Sequence, residues 1–254
     1  MYSILCDFDG TLIKSDRTID KDALITLKKL LIDNHFCIVS QSSISELLTF
    51  INYYDINCDL FSLSSNILFI NGEYQMDLID SKLLNRIITK YKNNIYTLWS
   101  ETVNKTYIYN YNERVELIYP KINRTVVHMI PENLCEVTVA INNEVSESFK
   151  QEILDNNLYY SSYAKDKHRE LLMIYKHKID KSYAIEVYKD YYNDKKIVGI
   201  SDSYSDIDFI SQCDIKIAMK NADEKLKNNV EYITPLTNNE SGAIKFLDYI
   251  CHLK

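Results

Sequence analysis

Short apolar runs alternate with amphipathic stretches over the first 77 residues of the chain. The apolar runs Ser3–Phe8, Phe36–Ser40 and Leu68–Ile70 predict buried strands. Leucines at helical spacing predict a helix over Lys21–Asn34, and a capping box precedes a second helix at Ile44–Ile51. Helices that alternate with short buried strands are typical of a parallel sheet covered on both faces.

A different pattern occupies the segment from Leu78 to Lys178, where strands alternate polar and apolar positions. Such alternation indicates an open sheet with one solvated face, and so a separate α+β domain. The pattern predicts helices over Lys82–Lys92 and Val145–Asp155, and strands over Ile95–Ser100, Lys105–Tyr111, Leu134–Ile141, Leu158–Tyr163 and Glu170–Tyr175.

The strand–helix pattern of the first part then resumes and runs to the end of the chain. It predicts helix Lys181–Tyr192, strand Lys196–Ile200, strand Ile215–Met219 and helix Ser241–His252. We therefore predict an α/β protein with a Rossmann-like parallel-sheet core and an inserted α+β domain. Residues 1–77 and 179–254 would form the discontinuous core, and residues 78–178 the insertion.

Composition and charge exclude several classes of protein. The 254 residues carry a net charge of −7, which argues against a nucleic-acid partner and against a polybasic membrane surface. The uncharged run between Asp59 and Glu73 is too short to span a bilayer, and the early acids Asp7 and Asp9 do not fit a signal peptide. The 6 cysteines lack metal-binding spacing and predict reduced thiols. We expect a cytoplasmic protein, a monomer or weak dimer.

The strongest chemical signal is the run Asp7-Phe8-Asp9-Gly10-Thr11-Leu12, where the first predicted strand ends. Alternate residues of a strand point the same way, so Asp7 and Asp9 can begin on one side before the chain turns. Gly10 allows that turn to be tight and lets the backbone approach a ligand. Carboxylates crowded beyond a parallel strand need a cation or a proton to compensate them. An isolated pair of this kind is otherwise usually a solvated acidic turn.

A second acidic loop decides between these interpretations. Asp202 and Asp206 follow another apolar strand, and two strands that both end in acids are what an oxygen-lined Mg²⁺ site requires. Lys181 opens a predicted helix and offers a point charge for a phosphate. Ser40 ends the second core strand, where a hydroxyl and exposed N–H groups can also hold phosphate oxygens.

These four elements, in this order, resemble the motifs of the haloacid dehalogenase (HAD) superfamily of phosphohydrolases. The motifs are the DFDGTL run, Ser40, Lys181 before Ser-Tyr-Ala-Ile, and the SDSYSD loop at 201–206. The resemblance is closest to the Cof-like subgroup, which also shares the Asn71-Gly72 turn and the Ala218–Ala222 segment AMKNA. That subgroup carries an α/β cap of type IIB where the insertion lies here.

The resemblance implies a Mg²⁺-dependent phosphatase that acts on a small phosphorylated metabolite, with sugar phosphates as the default class. Asp7 would be the nucleophile that forms an aspartyl-phosphate, and Asp9 the acid and base. Ser40 and Lys181 would bind the phosphate. The implied metal site consists of Asp202, Asp7 and the backbone carbonyl of Asp9, with Asp206 in support.

Four positions depart from the subgroup's usual pattern. Gln41 and Ser42 replace a Gly and an Arg after Ser40, and Ser201 and Ser205 replace a Gly and an Asn around Asp202. All the charged groups survive, so we expect reduced or altered activity before none. Two alternatives stay open: a phosphomutase of the same superfamily, and a binding or regulatory protein on the same fold that has lost catalysis.

Overall fold

The computed structural model describes residues 1–63, 66–101, 105–109, 124–127, 129–177, 180–192 and 196–252. In chain order, the strands are β1 (Ser3–Asp7), β2 (His35–Ser40), β3 (Asp59–Ser62), β4 (Ile67–Ile70), β5 (Glu73–Met76), β6 (Ile95–Glu101), β7 (Thr106–Tyr109), β8 (Arg124–Val127), β9 (Glu136–Asn142), β10 (Tyr159–Lys165), β11 (Arg169–Tyr175), β12 (Ile197–Ser201), β13 (Ile215–Ala218) and β14 (Tyr232–Ile233).

Helices connect most of these strands. They are α1 (Lys21–Asp33), α2 (Ile44–Tyr54), α3 (Ser81–Tyr91), α4 (Asn143–Asp155), α5 (Lys181–Tyr191), α6 (Ile207–Ser211), α7 (Glu224–Lys227) and α8 (Gly242–His252). The capping box predicted at Ser43 forms in part, since the Ser43 hydroxyl accepts the Glu46 N–H at 3.3 Å and starts α2. No helix in the described part of the chain has the length and apolar character needed to span a bilayer.

The first sheet has eight strands in the order β14-β13-β12-β1-β2-β3-β4-β5. Its strands run parallel from β14 to β3, and β4 and β5 add an antiparallel edge. Strand β1 lies between β12 and β2, both of which follow it in the chain, so the strand order changes direction at β1. The carboxyl ends of these three strands therefore meet at one edge, where open α/β sheets bind ligands. The α/β class predicted from the sequence is confirmed.

The second sheet has six strands in the order β10-β11-β9-β6-β7-β8. Its pairings are antiparallel except for β7 with β8. Helices α3 and α4 pack on one face around buried apolar side chains such as Leu84, Phe149 and Val139. The first sheet has its own hydrophobic core, which includes Leu5, Ile38 and Tyr188. Each sheet is thus stabilised by a separate apolar cluster.

Several elements differ from the sequence prediction. The sequence prediction lacks strands β3, β5, β8 and β14, because short runs of two to four residues carry no periodicity that separates a strand from a loop. Strand β9 begins at Glu136, two residues after the predicted start at Leu134. Residues 110 and 111 of the predicted strand Lys105–Tyr111 lie outside the described residues, as does the proposed domain limit at 178/179. Both domain limits stay a prediction.

Candidate active site

Two predicted site residues, Asp7 and Ser40, end the neighbouring strands β1 and β2, and a third, Asp202, directly follows β12. Asp7 is the last residue of β1 and pairs with Val39, so Ser40 ends β2 one residue further along. On the other side Cys6 pairs with Ile200, which places Ser201 at the end of β12 beside Asp7. The parallel register therefore brings residues separated by up to about two hundred positions in sequence to one edge of the sheet.

The chain turns sharply over Phe8–Leu12, directly after β1, and Gly10 makes that turn possible. The φ angle of Gly10 is +74°, a left-handed value that favours glycine. A Cβ atom at this position would lie only 2.2 Å from Oδ2 of Asp202. The missing side chain of Gly10 therefore provides the space that the Asp202 carboxylate occupies, and the Thr11 hydroxyl contacts Oδ1 of that carboxylate at 3.5 Å.

Lys181 joins two buried carboxylates at this edge. It is the first residue of α5, which Asp180 caps by accepting the N–H of Ser182 at 2.9 Å. Its ammonium donates to Asp7 Oδ1 at 2.5 Å and to Asp206 Oδ2 at 2.7 Å. The Lys181 side chain is 8% exposed, and those of Asp7 and Asp206 are 10% and 5% exposed. Solvent therefore screens these two ion pairs little.

Burial and neighbouring charges shift the titration of these groups. Burial raises the pKa of Asp7 to about 6; Lys181 opposes this shift, while Asp206 and Asp202 add to it. Burial also raises the pKa of Asp202, and the Asp206 carboxylate raises it further. For Lys181, burial opposes the charged form, but the carboxylates of Asp7 and Asp206 outweigh it and raise the pKa. The edge of the sheet thus holds more negative charge than Lys181 compensates.

The donor atoms at this edge fit a hard divalent cation. Asp7 and Asp202 offer carboxylate oxygens, and burial, with a smaller effect of neighbouring carboxylates, raises the pKa of both, so a cation here would stabilise their charged forms. No group of three or more His, Cys, Asp or Glu side chains has metal-binding geometry within the described ranges. Asp206 instead binds Lys181 and accepts the Ser201 hydroxyl at 2.5 Å. A cation here would rely on Asp7, Asp202 and backbone oxygen, and direct ligation by Asp206 stays a prediction.

We expect Gly10→Ala to weaken Mg²⁺ binding, because the new Cβ would displace the Asp202 carboxylate. Alanine at this φ also costs about 1 kcal/mol, which lowers the melting temperature by a few degrees. The measurement is the rise in melting temperature on adding Mg²⁺. Gly72→Ala is the matched control, since Gly72 has a φ of +82° but no atom within 4 Å of its ideal Cβ. An equal Mg²⁺-induced rise in both variants would contradict the role of Gly10.

Asp9 lies apart from the buried ion pairs. Its side chain is 55% exposed, and Oδ1 accepts a hydrogen bond from Arg17 Nη1 at 2.9 Å. Oδ2 accepts from the Ser42 hydroxyl at 3.3 Å. The Asp9 carboxylate therefore faces solvent at the edge of the site, where it can reach a group bound from outside. Its predicted part in a metal site would involve the backbone carbonyl and not this side chain.

Two of the departures from the family pattern contact the predicted site. Ser42, in place of an arginine, donates to Asp9, and Ser201, in place of a glycine, donates to Asp206. Ser205 is exposed, and its hydroxyl lies 2.8 Å from that of Ser203, outside the carboxylate cluster. Ser40 is buried, and its hydroxyl oxygen accepts the N–H of Ser42 at 2.9 Å, so its own proton can be donated to an anion.

A cavity of about 920 Å³ lies between helix α2 and the second sheet, and the two residues that donate to Asp9, Arg17 and Ser42, are part of its lining. The turn after β1 and helix α2 form one wall, and strands β6, β9 and β11 contribute the other. Five aromatic side chains and Met173 line the cavity together with ten polar residues. They are Phe8, Arg17, Thr18, Gln41, Ser42, Ser43, Ser45, Glu46, Thr49, Phe50, Tyr53, Tyr54, Trp99, Glu136, Thr138 and Met173.

The sequence patterns missed two residues that contact the predicted site. Arg17 contacts Asp9, but no spacing or motif in the sequence distinguishes it from a solvated surface arginine. Asn221 donates from Nδ2 to the Gly10 carbonyl at 2.8 Å and supports the turn after β1. The AMKNA segment that contains Asn221 was part of the resemblance, and it was the available signal for this contact.

Comparison with known proteins gives a family and one curated relative. A family model described as haloacid dehalogenase-like hydrolase matches residues 4–247. The 5-amino-6-(5-phospho-D-ribitylamino)uracil phosphatase YitU of Bacillus subtilis is 22% identical, over 97% of this chain and 96% of its own length. The family match thus spans both sheets, and the similarity to the relative extends over nearly the full length of each chain.

Solved structures share the fold at low sequence identity. A Thermotoga maritima protein superposes with a TM-score of 0.78 at 20% identity, over 98% of this chain and 97% of its own. The subclass IIB sugar phosphatase BT4131 superposes with a TM-score of 0.68 at 15% identity, over 99% of both chains. At these identities the superpositions establish the common architecture and not a common substrate.

Proposed function

The chain belongs to the haloacid dehalogenase-like hydrolases, as a Cof-like phosphohydrolase, and on this premise we propose that it is a Mg²⁺-dependent phosphatase acting on a small phosphorylated metabolite. The observation that carries the proposal is the Asp7–Lys181–Asp206 cluster, which lies at the carboxyl edge of the sheet beside Asp202. This cluster combines a carboxylate nucleophile with a cation able to bind phosphate, in a setting largely shielded from water.

The proposed reaction transfers the phosphoryl group twice. Asp7 attacks phosphorus through a carboxylate oxygen, the bond from phosphorus to the substrate oxygen breaks, and Asp9 gives that oxygen a proton. Water then attacks the aspartyl-phosphate, Asp9 takes the proton, and the bond to the Asp7 oxygen breaks to release inorganic phosphate. One group can serve as acid and then as base because the two transfers run in opposite directions.

Lys181 and Ser40 are the proposed phosphate ligands. The Lys181 ammonium already contacts Asp7 and offsets the repulsion between that carboxylate and an incoming phosphate. The buried Ser40 hydroxyl adds a neutral donor from the neighbouring strand. Asp206, which binds Lys181 at 2.7 Å, would keep the ammonium in place when phosphate enters.

The proposed Mg²⁺ ligands are Asp7, Asp202 and the backbone carbonyl of Asp9. When bound, Mg²⁺ supplies positive charge against the carboxylates and the phosphate oxygens. The residues fit this group, because the Asp202 carboxylate is packed against Gly10 and its pKa is raised by burial and by the Asp206 carboxylate, so a cation would stabilise its charged form.

Release of inorganic phosphate tests the metal assignment. We expect turnover of phosphate monoesters with Mg²⁺ and its loss with chelator, because the carboxylate cluster would repel an uncompensated phosphate. Asp202→Asn should raise the Mg²⁺ concentration needed for half-maximal activity by about tenfold or more. Ser205→Ala, in the same loop but outside the cluster, is the matched control and should leave it within about twofold. Full activity in chelator would overturn the metal assignment.

The cavity favours a second candidate for the substrate class beside the default sugar phosphates. Trp99, Phe50 and Tyr54 line it, and such side chains stack on flat rings. The curated relative is named for a substrate that joins a phosphorylated ribityl chain to a uracil ring. We therefore propose ring-bearing polyol phosphates as the second candidate. A panel containing hexose phosphates, ribitol phosphate and a ribitylaminouracil phosphate, compared by kcat/KM, distinguishes the two classes.

A further inference from the structure

The turn that follows the DFDGTL run presents Arg17 in a strained backbone conformation. The φ angle of Arg17 is +65°, a left-handed value that is uncommon for residues other than glycine. The turn is closed by two backbone hydrogen bonds, from Lys14 N–H to the Thr18 carbonyl at 3.0 Å and from Arg17 N–H to the Lys14 carbonyl at 2.8 Å. Strain kept at one residue of an ordered turn is a reason to look for a function there.

Contacts on both sides hold this turn in place. The Asp16 carboxylate accepts hydrogen bonds from the Thr18 N–H and hydroxyl, at 3.1 and 2.6 Å. The loop before α8 adds two more bonds, since Asn239 accepts the N–H of Ser15 at 2.9 Å and Asn238 donates to the Ile13 carbonyl at 3.0 Å. The position of residue 17 is therefore fixed by its neighbours independently of its side chain.

The Arg17 guanidinium joins the catalytic edge to helix α2. Nη1 donates to Asp9 Oδ1 at 2.9 Å, and Nη2 donates to the Glu46 carboxylate in the first turn of α2. The guanidinium carbon lies 5.7 Å from the centre of the Phe8 ring, within the range of a cation–π contact. Arg17 also lines the cavity together with Ser42.

Arg17 and Ser42 each hold one oxygen of the Asp9 carboxylate. Arg17 binds Oδ1, and Ser42 binds Oδ2 through a longer contact of 3.3 Å. An exposed carboxylate held at only one oxygen can still rotate about its side-chain bonds, whereas two contacts from different elements fix its plane. A general acid acts only when its proton is within hydrogen-bond reach of the leaving oxygen, so orientation affects the rate directly.

We propose that Arg17 is a positioning residue for Asp9, with Glu46 as the anchor of its guanidinium. The proposal rests on the function proposed above, in which Asp9 protonates the leaving oxygen. Arg17 holds Oδ1 and so directs Oδ2 toward the cavity. Oδ2 is the oxygen that carries the transferred proton, and its longer hydrogen bond with Ser42 is given up when the proton binds. Arg17 itself neither binds the phosphate nor exchanges a proton.

The test compares substrates that differ in their need for a general acid. An alkyl phosphate releases an alkoxide, which is a poor leaving group unless a general acid gives it a proton. p-Nitrophenyl phosphate releases p-nitrophenolate, which is a good leaving group without that proton. In Arg17→Met, we expect kcat on the alkyl phosphate to fall about 10- to 100-fold, within the range of a general-acid contribution, with KM little changed. Turnover of p-nitrophenyl phosphate should fall less than about threefold. Arg17→Lys should give partial rescue on the alkyl phosphate.

Two further variants separate positioning from stability. Arg17→Gly removes the guanidinium and also the backbone strain, so its kinetic loss should match Arg17→Met while its melting temperature is no lower. Lys14→Met is the matched control in the same turn, because Lys14 pairs with Asp20 at 2.9 Å and not with Asp9. Its substrate profile should equal that of the wild type.

A double-mutant cycle completes the test. In an Asp9→Asn background, Arg17→Met should cause no further loss on the alkyl phosphate, because the residue it positions no longer transfers a proton. Equal losses on both substrates, or the same loss in both backgrounds, would overturn the positioning role. Asp7→Asn separates the two proposals: if it keeps wild-type activity the proposed function fails, and if it is inactive only the Arg17 inference is under test.

Discussion

Replacing Asp7 by Asn should lower phosphate release on every substrate by at least about 10³-fold, because the variant loses the attacking carboxylate but keeps its shape. The loss should appear with alkyl phosphates and with p-nitrophenyl phosphate alike, since the leaving group departs in the step in which Asp7 attacks and neither substrate can react without that nucleophile. Incubation of the wild type with labelled substrate and rapid acid quenching should trap label on the protein, and the variant should trap none. Turnover near the wild-type rate would show that another nucleophile operates.

The fold of the Asp7→Asn variant should be intact, and its stability gives a second measurement. The folded-state pKa of Asp7 is raised to about 6 from an ordinary value of 3.8, chiefly by burial. Protonation of Asp7 therefore adds to the free energy of unfolding; this contribution is complete below about pH 4 and is lost as the pH rises through 6. At pH 8 in chelator, the variant should melt no lower than the wild type. Asp208→Asn, at an exposed carboxylate in the first turn of α6, is the control and should keep wild-type activity.

Lys181→Met should have the second-largest effect, on stability as well as activity. It leaves the buried carboxylates of Asp7 and Asp206 without their shared ammonium, and breaking a buried pair in this way costs about 3–5 kcal/mol. Loss of the phosphate-binding charge should also lower kcat/KM by about 10²-fold or more. Thermal unfolding in chelator and phosphate release with Mg²⁺ measure the two effects separately.

A double variant distinguishes the two roles of Lys181. Lys181→Met leaves two buried carboxylates without a cation. Adding Asp206→Asn removes one of these two charges, so the melting temperature should recover part of the loss. Activity should not recover, because the ammonium that binds phosphate is still missing. Recovery of activity with stability would show that Lys181 is needed only for the fold, and its role in binding phosphate would be wrong.

The order of elements in the first sheet could be predicted because its strands are buried and its helices amphipathic. Ser3–Phe8 and Phe36–Ser40 are continuous apolar runs, and each ends within one residue of the observed β1 and β2. Strand β3 could not be predicted, because its four residues, Asp59–Ser62, are all buried and show no alternation of polar and apolar positions. Asp59 is polar, but it is buried because it accepts the hydroxyls of Tyr188 and Tyr192, far away in sequence.

The carboxylates that meet at the edge of the first sheet could be predicted, because they belong to short sequence motifs that directly follow predicted strands. What could not be predicted is which partner each carboxylate takes. Asp206 was expected beside a metal, and in the structure it binds Lys181 and Ser201. The Arg17–Asp9 pair depends on a turn closed by backbone hydrogen bonds and on loop contacts from Asn238 and Asn239, more than two hundred residues away. Sequence spacing carries no trace of such a contact.

The two walls of the cavity belong to sheets with separate hydrophobic cores, and this has a consequence for how the protein can evolve. Trp99, Thr138 and Met173 lie on strands of the second sheet, while the carboxylates and Lys181 are carried by the first. Substitutions on the second wall can therefore accumulate without disturbing the buried ion pairs. Under the proposed function, a change in the side chains of that wall would alter which substrate fits the cavity while the residues that transfer the phosphoryl group stay in place, so related chains can come to act on different metabolites.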